Sequence, residues 1–142
     1  AGILVTKVIY VKKGVTRDFV IVDAAMNDLL RPCLYGAQHE IIPIVQPKTE
    51  NQTEHGSLVD VVGPVCESGD SFATELALPQ INPDELLAIR SAGAYGAVMS
   101  STYNSRALVP EILVKNNQFA VIRERSEIDV LFPQETLPDW LV

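Results

Sequence analysis

The chain has 142 residues, 47% hydrophobic and 20% charged, which is enough apolar material for one domain with a real core and excludes disorder as its main state. Eleven Lys and Arg against eighteen Asp and Glu leave a net charge of -7 and a pI near 4.7; no basic stripe neutralises a phosphate backbone, which argues against a nucleic-acid partner. Two cysteines, Cys33 and Cys66, cannot staple a multi-bridge scaffold and fit a reducing, cytoplasmic home.

Ile3 to Lys12 is rich in Val, Ile, Thr and Tyr, and the polar Lys12-Lys13-Gly14 separates it from a second apolar run at Phe19 to Val22; the pair reads as a hairpin. The apolar stretches Ile3 to Val5 and Val8 to Val11 fall far short of the ~20 residues of a membrane helix. With no start methionine, charged n-region or cleavage site, the opening Ala1-Gly2-Ile3 predicts a chain that begins mid-protein. Asn27 to Tyr35 is expected to form an irregular turn, with Pro32 limiting any helix to the residues before Arg31. His39 to Val45 resumes apolar character, and Pro43 makes it an edge or bulged strand.

Gln46 to Ser57 is polar and aperiodic and reads as an exposed loop. Leu58 to Val62 is a buried-looking strand, ended by Gly63-Pro64, and Val65 to Asp70 forms a small polar corner. The turn Asn82-Pro83-Asp84-Glu85 leads into a strand at Leu86 to Ile89. Val109 to Val114 and Phe119 to Ile122 flank Asn116-Asn117 as another hairpin. Ile128, Leu131 and Phe132 lie at helical spacing within a terminal turn from Ser126 to Phe132. The expected fold class is mainly β: an antiparallel barrel or sandwich with a few short helical turns, forming one domain over 1–142. No G-x-G-x-x-G or P-loop pattern is present, which disfavours a doubly wound nucleotide fold.

Three segments concentrate chemistry. Gly63-Pro64-Val65-Cys66-Glu67-Ser68-Gly69-Asp70 packs a thiol, two carboxylates and a hydroxyl between glycines; a thiol carries a proton and a carboxylate holds a cationic group. The alternative is a hydrogen-bonded corner with a half-buried cysteine. Ser91-Ala92-Gly93-Ala94-Tyr95-Gly96 sets one phenol among small residues, either to donate to a phosphate or carboxylate or to plug a core gap. Arg31, Pro32 and Tyr35 offer a guanidinium fork for a carboxylate, or a surface arginine beside a packed tyrosine. Cys66 with His39 or His55 lacks the setting of a thiol hydrolase, and no Cys or His pair has metal-ligand spacing. Asn51-Gln52-Thr53 matches a glycosylation acceptor, which matters only in a secretory route.

In order along the chain, Ala24-Ala25-Met26-Asn27-Asp28-Leu29-Leu30-Arg31-Pro32-Cys33-Leu34-Tyr35, the Gly63 to Asp70 corner, Ser91 to Gly96 and Met99-Ser100-Ser101-Thr102-Tyr103-Asn104 resemble the diaminopimelate decarboxylases. These belong to the alanine-racemase-like pyridoxal phosphate decarboxylases, built from a TIM-type barrel and a β-domain, and the chain looks like the C-terminal β-domain. The resemblance implies pyridoxal-phosphate-dependent conversion of meso-diaminopimelate to L-lysine by a homodimer. It implies that Arg31 and Tyr35 bind substrate, that Glu67 meets its distal end, and that Tyr95 touches both substrate and cofactor phosphate. Cys66 is similar to the cysteine implicated in protonating the carbon that loses carbon dioxide; with Glu67 it would reach into the partner subunit's barrel. A paired arginine and glutamate suit a distal carboxylate and ammonium, which ornithine-type substrates lack in part.

The family's Schiff-base lysine and phosphate-binding glycine loop belong to the barrel and are not found here. Lys7, Lys12, Lys13, Lys48 and Lys115 do not match that lysine's motif, so the chain alone is expected to be inactive. The competing expectations are a non-enzymatic β module for binding or oligomerisation, and a related decarboxylase or racemase of the same fold.

Overall fold

The computed structural model describes residues 2–45, 57–132 and 135–141, and these form two compact units, Ala1–Ser100 and Ser101–Val142. The loop expected over Gln46 to Ser57, with the acceptor at Asn51 and His55, lies outside the described residues except for Ser57.

The first unit is a six-stranded sheet of β1 (Leu4–Lys12), β2 (Asp18–Val22), β3 (Ile41–Pro43), β4 (Ser57–Val62), β5 (Ser71–Leu78) and β6 (Leu86–Ile89), ordered β3-β6-β1-β2-β4-β5. β1 is its hinge. Its first half pairs with β6 through Leu4 to Lys7, and its second half pairs with β2 after a register shift between Val8 and Tyr10; a bulge of this kind bends a strand and lets the sheet curl toward a barrel. Alternation does the rest. Thr6 and Val8 of β1 and Val20 and Val22 of β2 point inward, where they meet Leu29, Val61, Leu87 and Ile89, all at most 1% exposed. Each buried Val, Leu or Ile among them contributes about 1.5–3 kcal/mol by leaving water. Pro43 sits where the sequence places it, on the edge strand β3, which pairs with β6 alone.

Antiparallel pairing links β1–β2, β1–β6, β3–β6 and β4–β5, while β2 and β4 run parallel. The long connection that a parallel pair requires holds the one α-helix among the described residues, α1 (Arg31–Tyr35). Because β6 and β2 both oppose β1, and β4 follows β2, the strands β2, β4 and β6 all point the same way. The segments that leave them, 23–35, 63–70 and 90–96, therefore emerge at one end of the sheet.

Two elements differ from the sequence expectation. The helix begins at Arg31 instead of ending before it: Pro32 occupies the first turn, where an amide N–H has no intrahelical partner and the fixed φ of proline suits the helix. β5 was not anticipated, because its apolar alternation breaks at Glu75, which has φ 50 and is exposed between Phe72 and Leu78.

The second unit is a hairpin of β7 (Glu111–Lys115) and β8 (Gln118–Arg123) around Asn116, which takes the left-handed φ of 52 that a tight hairpin turn demands. A 3-10 turn at Ile128–Leu131 falls within the terminal turn expected there. Val114 and Phe119, directly opposite in register, are 66% and 76% exposed.

Candidate functional site at one end of the sheet

α1 is a turn and a half long, so Arg31 and Tyr35, four residues apart, share a face, and Cys33 lies on the opposite one. The guanidinium carbon of Arg31 is 5.2 Å from the centre of the Tyr35 ring and 5.2 Å from that of Tyr95. Tyr35 and Tyr95 are 64% and 59% exposed, so neither phenol plugs the core. Tyr95 has φ 61 and Ser91 φ 57, left-handed geometry that costs an ordinary residue about 1–2 kcal/mol and that turns the 91–96 segment back toward α1. The backbone N–H of Ala92 donates to the carbonyl of Gly2 at 2.9 Å, tying that segment to the entrance of β1.

The 63–70 corner closes the β4–β5 connection. Asp70 is buried and takes two short bonds: Val65 N–H donates to Oδ2 at 2.7 Å and Met26 N–H donates to Oδ1 at 2.7 Å. Gly63 N–H donates to the Asp70 carbonyl at 2.9 Å, and a Cβ on residue 63 would overlap the Asp70 carboxylate. The corner then meets α1 at Gly69, where a Cβ would stand 2.5 Å from Cys33 Sγ. Cys66 and Glu67 are exposed on this corner, and neither cysteine is in a disulfide.

The predicted residues thus fall into two groups. Arg31, Tyr35 and Tyr95 meet on one face of α1, although they are 64 residues apart in sequence at the extremes. Cys66 and Glu67 belong to a corner that packs against the other face. Behind α1 a cleft of about 530 Å³ is lined by Cys33, Gly36, His39, Gly69, Thr74 and Leu76 among others, and includes none of the five. His39 sets Nδ1 2.9 Å from the carbonyl of Arg90. Among the described residues no cluster of three His, Cys, Asp or Glu is arranged to hold a metal, and no helix is long and apolar enough to cross a membrane. Gly63 and Asp70, the glycine and aspartate that bracket the thiol in sequence, shape this corner without belonging to the expected substrate-binding set.

A family model for the C-terminal sheet domain of the pyridoxal-dependent decarboxylases matches residues 1–93. The chain belongs to this family. It is 48% identical over 141 residues, 99% of its length, to the diaminopimelate decarboxylase of Zymomonas mobilis, of which it covers 32%. Its fold is similar to diaminopimelate decarboxylase of Helicobacter pylori in complex with L-lysine, with a TM-score of 0.82 at 44% identity over 92% of this chain and 30% of that one. The diaminopimelate decarboxylase from m. jannaschii, also in complex with L-lysine, gives 0.89 at 31% identity over 99% of this chain and 31% of that one. The chain spans about a third of the length of the curated relatives it matches.

The donor set on the front of α1 fits the family's cofactor and an anionic substrate. A guanidinium brings five N–H donors and each phenol one more, a combination suited to a phosphate or a carboxylate.

Proposed function

We propose that the chain is the C-terminal sheet domain, over 1–142, of a cytoplasmic diaminopimelate decarboxylase that converts meso-diaminopimelate to L-lysine and carbon dioxide in lysine biosynthesis. The observation that carries the reading is the Arg31 guanidinium held between the Tyr35 and Tyr95 rings at the end of the sheet. There Arg31 offers two parallel N–H groups to a substrate carboxylate, and Tyr35 lines the same pocket. The Tyr95 hydroxyl would donate to the phosphate of pyridoxal phosphate and border the substrate. When bound, that cofactor supplies an electron sink for the carbon that loses carbon dioxide.

Cys66 Sγ holds the proton that replaces the lost carboxylate, and Glu67 receives the distal ammonium. α1 stands between this corner and the Arg31 face, which supports a division of labour: Arg31, Tyr35 and Tyr95 serve the subunit's own barrel, while Cys66 and Glu67 serve the barrel of the partner in a homodimer. The barrel would bring the lysine that carries the cofactor, since Lys7, Lys12, Lys13, Lys48 and Lys115 do not match that lysine's motif.

The test is an assay of the full-length protein, loaded with pyridoxal phosphate, against meso-diaminopimelate, ornithine and arginine. Turnover of diaminopimelate with the highest kcat/KM is expected. A preference for ornithine or arginine overturns the reading, because those substrates have no distal carboxylate for the guanidinium to select.

A further inference from the structure

The corner that displays Cys66 and Glu67 hangs on one carboxylate. We propose that Asp70 is a positioning residue for proton delivery: it clamps the Cys66 corner to the segment that leads into α1 and so sets where the thiol sits. The inference rests on the reading of Cys66 as proton donor.

Asp70 is 3% exposed. Its two oxygens do different work. Oδ2 accepts from Val65, the residue immediately before Cys66, and Oδ1 accepts from Met26, 44 positions away in sequence. Met26 is half-buried in the otherwise buried 24–29 stretch, where Ala25 N–H donates to Asp28 Oδ2 at 2.9 Å and Leu29 enters the core. One carboxylate therefore fixes the spacing between the thiol-bearing corner and a rigid part of the frame. At 2.7 Å both bonds are in the short range of charge-assisted contacts. The sequence makes room for the clamp at Gly63, where any side chain would displace the carboxylate, and the Gly63 N–H closes the base of the corner on the Asp70 carbonyl. Asp70 N–H in turn donates to the carbonyl of Glu67 at 3.1 Å, so the residues on both sides of Cys66 answer to Asp70.

An amide at this position turns an N–H₂ group toward one of the two N–H donors and releases one segment. The Arg31 side keeps its own supports, namely Leu29 in the core and the two phenols. Displacing the corner slows the proton step more than it weakens binding, because Glu67 moves with the thiol while the carboxylate-binding face stays intact.

The experiment compares full-length wild type, Asp70→Asn and Cys66→Ala, each as the pyridoxal-phosphate-loaded dimer, turning over meso-diaminopimelate in H₂O and D₂O. For Asp70→Asn we expect kcat to fall about ten- to a hundredfold, the size of effect that a misplacement of about 1 Å produces, with a smaller rise in KM from the displaced Glu67 and a larger solvent isotope effect on kcat. A merely structural role lowers the melting temperature and leaves the isotope effect where it was. A folded Asp70→Asn enzyme with wild-type kcat and isotope effect, beside an impaired Cys66→Ala, overturns the clamp alone. An unimpaired Cys66→Ala overturns the reading of the thiol and the clamp's catalytic role with it. Should Asp70→Asn fail to fold, residue-resolved hydrogen exchange on the wild-type dimer decides: slow, matched exchange of the Met26 and Val65 amides supports the clamp, and loop-like exchange of either overturns it.

Discussion

On the front of α1, Arg31 lies between two phenol rings that are both more than half exposed; on the back, Cys33 rests against Gly69 and the Cys66 corner is pinned by the buried Asp70. The ring contacts are worth about 0.5–1 kcal/mol each at an exposed site, little enough for the guanidinium to turn from them toward a carboxylate. The clamp is made of charge-assisted bonds from backbone N–H groups to a buried carboxylate, and breaking it leaves that carboxylate with an unmet acceptor, which costs about 1–3 kcal/mol or more. On the proposed roles, the group that grips an incoming ligand is held loosely, and the group that presents a proton from a fixed place is held by its backbone.

The sharpest way to break this comparison is to separate the two faces between subunits. One full-length subunit carries Cys66→Ala and the other a substitution of the barrel lysine, and each parent is expected to be nearly inactive. If the back of α1 serves the partner, a mixed dimer has one site with both lesions and one with neither. Random pairing makes about half of all dimers mixed, each with one good site of two, so about a quarter of wild-type activity returns. Native mass measurement verifies the mixed dimers; verified heterodimers with no activity above the parents place the thiol in its own subunit's site.

A smaller effect is expected on the front face. Arg31→Ala removes a two-point contact in which each hydrogen bond to a charged group is worth about 1.5–3 kcal/mol, and KM for meso-diaminopimelate should rise at least roughly ten- to a hundredfold. Arg31→Lys should recover only part of this, since an ammonium cannot present two parallel donors. Steady-state kinetics checks both variants, and an unchanged KM in Arg31→Ala removes the front face from substrate binding.

The smallest effect belongs to an ion pair in the β1–β2 turn, a control for both faces. Lys13 Nζ donates to Asp18 Oδ2 at 2.6 Å, and this bond, helped by the Gly14 N–H, holds the Asp18 carboxyl below the usual carboxylate range against the opposing pull of desolvation. A carboxyl depressed on folding adds stability above its unfolded pKa, and that stability is lost as pH falls through the folded value. Lys13→Ala should therefore raise the Asp18 pKa, read by NMR titration, and shift the acid side of the stability curve slightly. kcat and KM should stay at wild-type values; a change in either would mean that catalytic weight is not confined to the two faces of α1.

Short local signals carried much of the fold. Lys12-Lys13-Gly14 and Asn116-Asn117 each marked a hairpin that forms, and Pro43 marked an edge strand, because a turn needs particular backbone angles and a proline cannot donate to a ladder. Pro32 misled for a related reason: the same missing N–H that ends a helix also suits its first turn, and only the surroundings decide which. β5 is not legible in the sequence because the irregular backbone at Glu75 breaks the period of two on which a strand is recognised. The hairpin of the second unit was legible from its turn and its Val, Ile and Phe content, even though most of those side chains stay exposed.

The sequence by itself determined which chemistry is available: a guanidinium, two phenols, a thiol and a carboxylate, on three motifs ordered along the chain, with the small residues beside them that close approach requires. Local composition reaches that far because side-chain chemistry and turn preference are properties of a few neighbouring residues. The tertiary structure alone decided that these motifs share one end of the sheet, since that follows from the directions of β2, β4 and β6, which are set by pairing between distant strands. It also decided that Arg31 stands with Tyr95 and apart from Cys66, and that Asp70 turns inward to backbone N–H groups while Glu67 beside the thiol is exposed. Two carboxylates three residues apart look alike in sequence; burial and the donors at hand, which only packing supplies, make one a clamp and leave the other on the surface.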